Sequence, residues 1–276
     1  MGAVKEVITK KNPDKELQKV QKYNLDCIIL PDKDYPKLLK EISDPPGILY
    51  IKGNLSLQDE VSLAVVGSRK YSLYGKKATN YIVGPLVQNG LCIVSGLALG
   101  IDAIAHEVAL SSKGRTLAVL GCGLDQIYPL ANIRLADKII KSGGALISEF
   151  PLGMPALRHN FPIRNRIIAG LTLGTLVIEC AEGSGSLLTA AAAIDYNREV
   201  FAVPGEIFSE TSSGTNRLIK MGAKIVTSHR DVLEDLHLEE KTSVIKDTAT
   251  VNSTIIQMEM KGKIRSLGGT RYEINK

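Results

Sequence analysis

The chain of 276 residues contains no tryptophan and only four phenylalanines, so aromatic side chains are scarce and their positions are informative. Its four cysteines form no CxxC pair and show no metal-ligand spacing, which argues against a disulfide framework or a zinc site. No apolar run is long enough to span a membrane, and the N-terminal MGAVKEVITKKNPDKE lacks the apolar core of a signal peptide. We therefore expect a soluble, cytoplasmic protein with no membrane partner, no metal and no cofactor.

Catalytic signatures are also missing. No Walker A loop occurs, and the turn GSRKYS lacks the second and third glycines of the dinucleotide fingerprint. Asp102 and His106 are spaced as two metal ligands on a predicted helix could be, but without a third ligand, helix capping and packing explain them better. Glu149, Glu179 and Glu182 lie near predicted strand ends and could form an acid pair, although the sequence places no His or Lys with them.

From about residue 62, short apolar segments alternate with amphipathic segments. Strands that are apolar nearly throughout and are separated by helices indicate a parallel sheet covered on both faces. This pattern predicts an α/β fold, with a Rossmann-like, doubly wound, mostly parallel sheet. The Gly84-Pro85 pair should kink the first helix or end it early. The predicted strands are 62–67, 91–95, 115–121, 144–148, 175–180 and 199–204, and the predicted helices are 73–89, 100–111, 131–142, 185–197 and 214–221.

The two ends of the chain differ from this core. The first 24 residues are charged, and residues 25–52 mix strand signals with proline-marked turns. A polar segment follows residue 236, and the tail then shows an apolar helix face (Ile255, Ile256 and Met260) and two short strands around Gly268-Gly269, a good hairpin turn. We expect three parts: an N-terminal extension (1–56), a Rossmann-like domain (57–236) and a tail (237–276).

Glycines and serines mark the turns that follow several predicted strands. They occur in Gly67-Ser68-Arg69, in SGLALGID (95–102), in GCGLDQIYP (121–129) and in Gly183-Ser184-Gly185-Ser186. In a parallel sheet these turns lie at the same edge, where backbone N–H groups at helix starts can bind an anion. Any one tight turn also uses glycine and serine for geometry alone, but several on one edge favour anion binding.

Basic residues are concentrated near these turns. GSRKYSLYGKK (67–77) carries four cations and no acid, and RHNFPIRNR (158–166) places three arginines around Phe161. An exposed ring among arginines is typical of a surface that stacks the unpaired bases of a single strand while cations hold its phosphates. The alternative is that Phe161 belongs to the core and Pro162 occupies the first position of a helix.

The motifs AVVGSRKYSLYG, IVSGLALGIDAIAH, AVLGCGLDQIYP, LISEFPLG, RHNFPIRNRIIAGL, VIECAEGSGSLLTAAAA and FAVPG closely resemble, in this order, the Rossmann-like core of the DNA-processing protein A (DprA, also called Smf) family. The resemblance covers roughly residues 25–236. It implies a non-enzymatic protein that binds and protects single-stranded DNA and helps to load the RecA recombinase in natural transformation or recombination. It also implies a homodimer.

The resemblance also implies a set of DNA-binding residues. They lie in the GSR turn, in the RHNFPIRNR segment and in the Gly-Ser turn: Gly67, Ser68, Arg69, Arg158, Phe161, Arg164, Asn165, Arg166, Gly183, Ser184, Gly185 and Ser186. We expect the chain to depart from the family at both ends, with only a remnant of a helical domain before residue 25 and a tail that resembles a shortened winged-helix domain.

Two other functions are open at this point. The EGSGSLLTA turn is similar to the phosphate-binding turn of LOG-type nucleoside-monophosphate phosphoribohydrolases, but those enzymes typically carry PGGxGT followed by a glutamate, and no acid occurs in the seven residues after Gly185. An adaptor that contacts RecA and binds DNA only incidentally is the third reading.

Overall fold

The structure is a computed structural model that describes residues 13–240, 259, 261, 264–266 and 272–274. The chain divides into two compact units, Met1–Glu239 and Glu240–Lys276. The larger unit contains every residue that the sequence assigns to the candidate site.

The larger unit is built on a nine-stranded sheet with the order β1-β2-β6-β5-β4-β3-β7-β8-β9. Strands β3 to β9 run parallel to one another, while β2 pairs antiparallel with both β1 and β6. The N-terminal segment thus extends the same sheet. The strands are β1 (Asp26–Ile29), β2 (Ile48–Gly53), β3 (Ser62–Val66), β4 (Cys92–Ser95), β5 (Thr116–Val119), β6 (Ala145–Ser148), β7 (Gly174–Val177), β8 (Glu199–Ala202) and β9 (Lys224–Ile225).

Nine helices accompany the strands in this unit as described. They are α1 (Pro13–Lys22), α2 (Lys37–Lys40), α3 (Leu73–Gln88), α4 (Ile101–Ser111), α5 (Ile133–Lys141), α6 (Asn160–Gly170), α7 (Ser186–Asp195), α8 (Glu210–Lys220) and α9 (His229–Asp235). Two short 3₁₀ turns, Leu57–Glu60 and Leu130–Asn132, complete the set. No helix in the described part of the chain is both long and apolar enough to cross a membrane.

Both faces of the sheet are buried, as the alternation along β3 demonstrates. Ala64 and Val66 pack into a core with α2, α6, α7 and α8, whereas Leu63 and Val65 pack into a second core with α3, α4 and α9. Because neighbouring side chains of a strand point to opposite faces, a strand covered on both sides must be apolar throughout. The predicted Rossmann-like α/β fold is confirmed, and each predicted strand and helix is present with small shifts at its ends.

Of the two outcomes expected for Gly84-Pro85, a kink or an early end of the helix, the early end does not occur, because α3 continues to Gln88 with Pro85 inside it. Burial explains why the helix persists. Ile82, Val83 and Leu86 are fully or almost fully buried around the Gly-Pro pair. Each buried aliphatic side chain contributes roughly 1.5–3 kcal/mol, so together they offset the cost of a proline in a helix interior, about 3 kcal/mol.

The smaller unit contains an antiparallel pair of strands, β10 (Ile264–Ser266) and β11 (Tyr272–Ile274). The two strands predicted for the tail are therefore present. The Gly268-Gly269 turn and the apolar helix face at residues 255, 256 and 260 lie outside the described residues.

Candidate nucleic-acid interface

The turns that follow β3 and β7 and the start of α6 meet in one cleft at the carboxyl edge of the parallel strands. The cavity has a volume of about 390 Å³. Its lining includes nine of the residues assigned from the sequence: Gly67, Ser68, Arg69, Phe161, Arg164, Asn165, Ser184, Gly185 and Ser186. The residues of three distant segments therefore form a single surface.

Close packing of backbone fixes the Gly67-Ser68-Arg69 turn. The Ser68 N–H donates to the Glu179 carbonyl (2.8 Å), and the Ser68 carbonyl accepts from the Ile101 N–H (3.1 Å). A Cβ at Gly67 would lie 2.8 Å from Cγ1 of Ile101 and 2.9 Å from the Glu179 oxygen, distances that no side chain can adopt without a shift. Only glycine allows this turn to lie so close to β7 and α4.

Glu179 also holds the start of α3. Its carboxylate accepts from both the N–H and the hydroxyl of Ser72, each at 2.7 Å, and a Cβ at Gly75 would collide with it. Glu149 instead pairs with Arg166. Glu182 is exposed and lies 3.7 Å from Arg217. Because the three glutamates have three different partners, they do not form the acid pair that the sequence left open.

Arg69 and Phe161 form the centre of the cleft. Arg69 is exposed, with its guanidinium carbon 5.6 Å from the centroid of the Phe161 ring, and it forms no ion pair with any described residue. The ring is half-buried, with its edge close to the backbone of Gly121. A free cation therefore lies beside a partly accessible aromatic ring.

The helix that carries Phe161 begins earlier than the sequence suggested. Asn160 is the first residue of α6, so Pro162 is its third residue rather than its first. The first four N–H groups of a helix have no intrahelical acceptor, so a proline costs no hydrogen bond at this position either. Phe161 thus belongs to the first turn of α6 and faces the cleft.

Arg164 forms the floor of the cleft and is only 4% exposed. Its Nη1 donates to the Gly96 carbonyl (2.6 Å) and to the Val119 carbonyl. Burial lowers the pKa of Arg164 to about 10, although the nearby Asp102 carboxyl acts in the opposite direction. The two hydrogen bonds from Nη1 of this guanidinium join the turn after β4 to the end of β5.

Asp102 and His106 belong to the same buried region. One Asp102 carboxylate oxygen accepts from the Gly96 N–H (3.2 Å), and burial raises the pKa of this carboxyl while Arg164 opposes the shift. His106 Nδ1 lies 2.6 Å from the Thr116 hydroxyl, which donates to the Ile93 carbonyl, so Nδ1 carries the proton. Burial lowers the pKa of His106 to about 3. Within the described residues, no group of three potential ligands could hold a metal.

Asn165 connects α6 to the Gly-Ser turn. Its Nδ2 donates to the Gly185 carbonyl (3.2 Å), and its Oδ1 accepts from Nε of Arg164 (3.3 Å). Ser184 and Ser186, on either side of Gly185, hydrogen-bond to each other through their hydroxyls (2.7 Å). The start of α7 lines the cleft, and the positive end of its dipole favours an anion there. The N–H groups of Ser186, Leu187 and Leu188 already donate to Ser184 and Gly185.

Three of the assigned residues do not line the cleft. Arg166 pairs with Glu149 and, at 3.2 Å, with Asp44. Arg158 is exposed two residues before α6, and Gly183 adopts φ +79° in the turn before α7. Sequence reasoning also missed Tyr128, whose ring centroid lies 5.7 Å from that of Phe161.

Comparison with known proteins identifies the family of this chain. The sequence profile of the family described as DNA recombination-mediator protein A matches residues 26–237. The chain belongs to this family. It is 48% identical over 202 residues to Protein Smf of Escherichia coli, a match that covers 73% of this chain and 54% of that protein. It is 46% identical over 223 residues to the DNA processing protein DprA of Streptococcus pneumoniae, covering 80% of this chain and 76% of that protein.

The matched region thus spans about half the length of the Escherichia coli relative and about three quarters of the streptococcal one. Two solved structures of the family are similar to this one. The X-ray structure of DprA from Streptococcus pneumoniae has a TM-score of 0.75 at 45% identity, over 81% of this chain and 78% of that chain. DNA processing protein A from Helicobacter pylori has a TM-score of 0.69 at 30% identity, over 77% and 95%, and was described for its single-stranded DNA binding mode.

Proposed function

We propose that this protein binds and protects single-stranded DNA in the cleft and thereby serves recombination. The observation that carries the proposal is the position of Arg69: an exposed cation without an acidic partner among the described residues, next to the accessible ring of Phe161. The single-stranded DNA binding of the Helicobacter pylori relative supports the same conclusion.

Charge and hydrogen-bond donors in the cleft suit a phosphate chain. Arg69 and Lys70 are exposed on one wall, and the N-terminus of α7 lies on another, with the hydroxyls of Ser184 and Ser186 beside it. Cations and the positive end of a helix dipole at short range favour an anion. Arg158 is exposed near this region and would contact the strand beyond the cleft.

The aromatic ring accounts for the preference for single strands. A base that stacks on an aromatic side chain contributes roughly 1–3 kcal/mol, and only an unpaired base presents its flat face. A duplex must unpair a base first, at a cost of a few kcal/mol. In this mechanism Arg164, Asn165 and Arg166 position the cleft, because their side chains are already bonded to the protein.

The deciding experiment is a salt titration of binding to single-stranded and duplex oligonucleotides of equal length. We expect the logarithm of the binding constant for single strands to fall with the logarithm of salt, with a slope near −0.7 per phosphate neutralised. Phe161→Ala should weaken single-strand binding by about 1–3 kcal/mol and leave that slope nearly unchanged. Unaltered affinity in this variant would remove the ring from the site, and equal affinity for duplex would refute the stacking mechanism.

The loading of RecA recombinase and the homodimer are finer parts of the proposal. Ile207 and Phe208, which follow β8, are 81% and 88% exposed, and large exposed apolar side chains commonly mark a protein interface. Sedimentation of wild type and Phe208→Ser tests the dimer. Assembly of RecA on a single strand, with and without this protein, tests the loading.

A hydrolase would use the same cleft differently. Asp102 is the acidic residue that lines it, and this carboxylate is buried and bonded to the backbone. We therefore favour binding over catalysis. Release of free base from nucleoside monophosphates would support the phosphoribohydrolase alternative instead.

A further inference from the structure

The turn after β5, GCGLDQIYP in the sequence, places a second ring beside the cleft. The ring of Tyr128 is tilted 40° to that of Phe161 and is 5.7 Å from it, between centroids. Tyr128 is 47% exposed, so much of its ring faces solvent. Aromatic rings at this distance form a continuous surface rather than two isolated contacts.

Exposed apolar side chains continue this surface away from the cleft. Asn132, in the segment after β5, donates through Nδ2 to the carbonyls of Leu97 (2.9 Å) and Ala98 (3.3 Å) in the turn after β4. These hydrogen bonds hold the two segments together. Ala98 lines the cleft. The side chains that these turns expose are Leu99, Tyr128, Leu130 and Ile133, which we call the Tyr128 rim.

A free cation adjoins the Tyr128 rim. Arg134 follows Ile133 in the first turn of α5, is exposed, and forms no ion pair with the residues that the structure describes. In the cleft a free arginine lies 5.6 Å from an accessible ring, and the segment that carries the accessible ring of Tyr128 likewise carries a free arginine. Apolar surface alone would fit many partners, but this combination suits nucleic acid.

We propose that the Tyr128 rim is a second base-binding position for the same single strand. Tyr128 stacks the base next to the one on Phe161, and Arg134 neutralises a phosphate between or beyond them. Successive bases stacked on neighbouring aromatic side chains are an established mode of single-strand recognition. This inference rests on the proposed function of the cleft.

The test measures affinity for the shortest oligothymidylate that binds fully, because so short a strand has little room to slide. Tyr128→Ala should weaken binding roughly 5- to 150-fold, whereas Tyr128→Phe should bind like wild type. Tyr81→Ala is the matched control, since Tyr81 is 64% exposed on α3 and does not line the cleft. It should leave affinity unchanged. Tyr128→Leu keeps apolar bulk against Phe161 but removes the aromatic face, so it should reproduce the loss if the alanine variant folds poorly.

Single abasic substitutions along the oligonucleotide separate the two positions. When the base that Tyr128 stacks is removed, Tyr128→Ala should cause no further loss of affinity. A different abasic position should remove the loss of affinity caused by Phe161→Ala. If both penalties vanish at the same position, Tyr128 only supports Phe161 and the inference is wrong.

The remaining outcomes distinguish this inference from the proposed function. A Phe161→Ala penalty without a Tyr128→Ala penalty would overturn only the second position. If neither Phe161→Ala nor Tyr128→Ala weakened binding, the stacking function itself would be refuted. Normal DNA affinity combined with altered sedimentation in Leu130→Asp would make the rim a protein-contact surface and would also overturn the inference.

Discussion

The cleft differs from a second cavity on the same domain in charge rather than in size. That cavity, the acidic cavity, has a volume of about 440 Å³, slightly more than the 390 Å³ of the cleft. Its charged lining residues are Asp26, Asp34, Asp59, Glu60, Lys33 and Lys37, whereas those of the cleft are Arg69, Lys70, Arg164 and Asp102.

Ion pairing strengthens the contrast. In the acidic cavity Lys37 pairs with Glu60 (2.9 Å), and Asp59 pairs with Arg115 (2.7 Å). In the cleft, Arg69 has an aromatic ring as its neighbour and no acidic partner among the described residues. The sign of the lining charge, rather than volume, therefore distinguishes a surface that can hold a polyanion: four acids and two cations line the acidic cavity, whereas three cations and one acid line the cleft.

The largest expected effect concerns the buried cation of the cleft. Arg164→Met should reduce the free energy of unfolding by about 3–5 kcal/mol, because it leaves Asp102 buried without its cation and two carbonyls without a donor. Lys37→Met, which removes an exposed pair at the acidic cavity, should cost about 0–1 kcal/mol. Chemical denaturation measures both, and similar losses would mean that Arg164 is not a structural part of the floor.

Charge reversal should affect DNA binding next most strongly. Arg69→Glu should weaken single-strand affinity on the order of tenfold to a hundredfold at low salt and should reduce the salt slope. Lys33→Glu makes the same change of net charge at the acidic cavity. Filter binding or fluorescence anisotropy compares them. An equal loss in both variants would show that overall charge, and not the cleft, determines affinity.

A smaller effect should follow from His106 beneath the cleft. Because burial holds its pKa at about 3, below the unfolded value near 6.5, the unfolded chain binds the extra proton as pH falls. Stability should therefore decrease below pH 6.5, by about 1 kcal/mol at pH 5.5. The raised pKa of Asp102 has the opposite effect, because it stabilises the folded chain as pH falls. The contribution of His106 is therefore measured as the difference between wild type and His106→Leu, which retains Asp102.

Thermal unfolding from pH 7 to 5 gives the measurement for wild type and His106→Leu. The wild type should lose stability relative to the variant over this range. His237→Asn, an exposed histidine at the end of the domain, is the control and should follow wild type. Parallel pH curves for all three proteins would show that His106 does not titrate differently on unfolding.

The fold was accessible from sequence because burial on both faces leaves a strong signal. β3, β4 and β5 are apolar at nearly every position, so their pattern predicts parallel strands between helices. Convergence of the turns followed from the same reasoning, since carboxyl ends of parallel strands share an edge. The antiparallel addition of β1 and β2 to β6 left no comparable pattern.

The roles of individual arginines were harder to predict. Phe161, Arg164 and Asn165 are three and four residues apart and share one face of α6, whereas Arg166 points elsewhere, to Glu149. Helix geometry could have separated Arg166 from the cleft. It could not have shown that Arg164 is buried, because an arginine that binds carbonyls and one that binds phosphate look alike in sequence.

Glu179 gives the cleft a mechanical property as well. Through its carbonyl it holds Ser68, through its carboxylate it holds Ser72, and it stands at the end of the strand that leads to Ser184. Glu179 therefore fixes the distance between the wall of the cleft that follows β3 and the wall that follows β7. If the cleft binds single-stranded DNA as proposed, the DNA meets a site whose shape is already formed, so binding requires little ordering of the protein. The association rate should then approach the limit set by diffusion and charge.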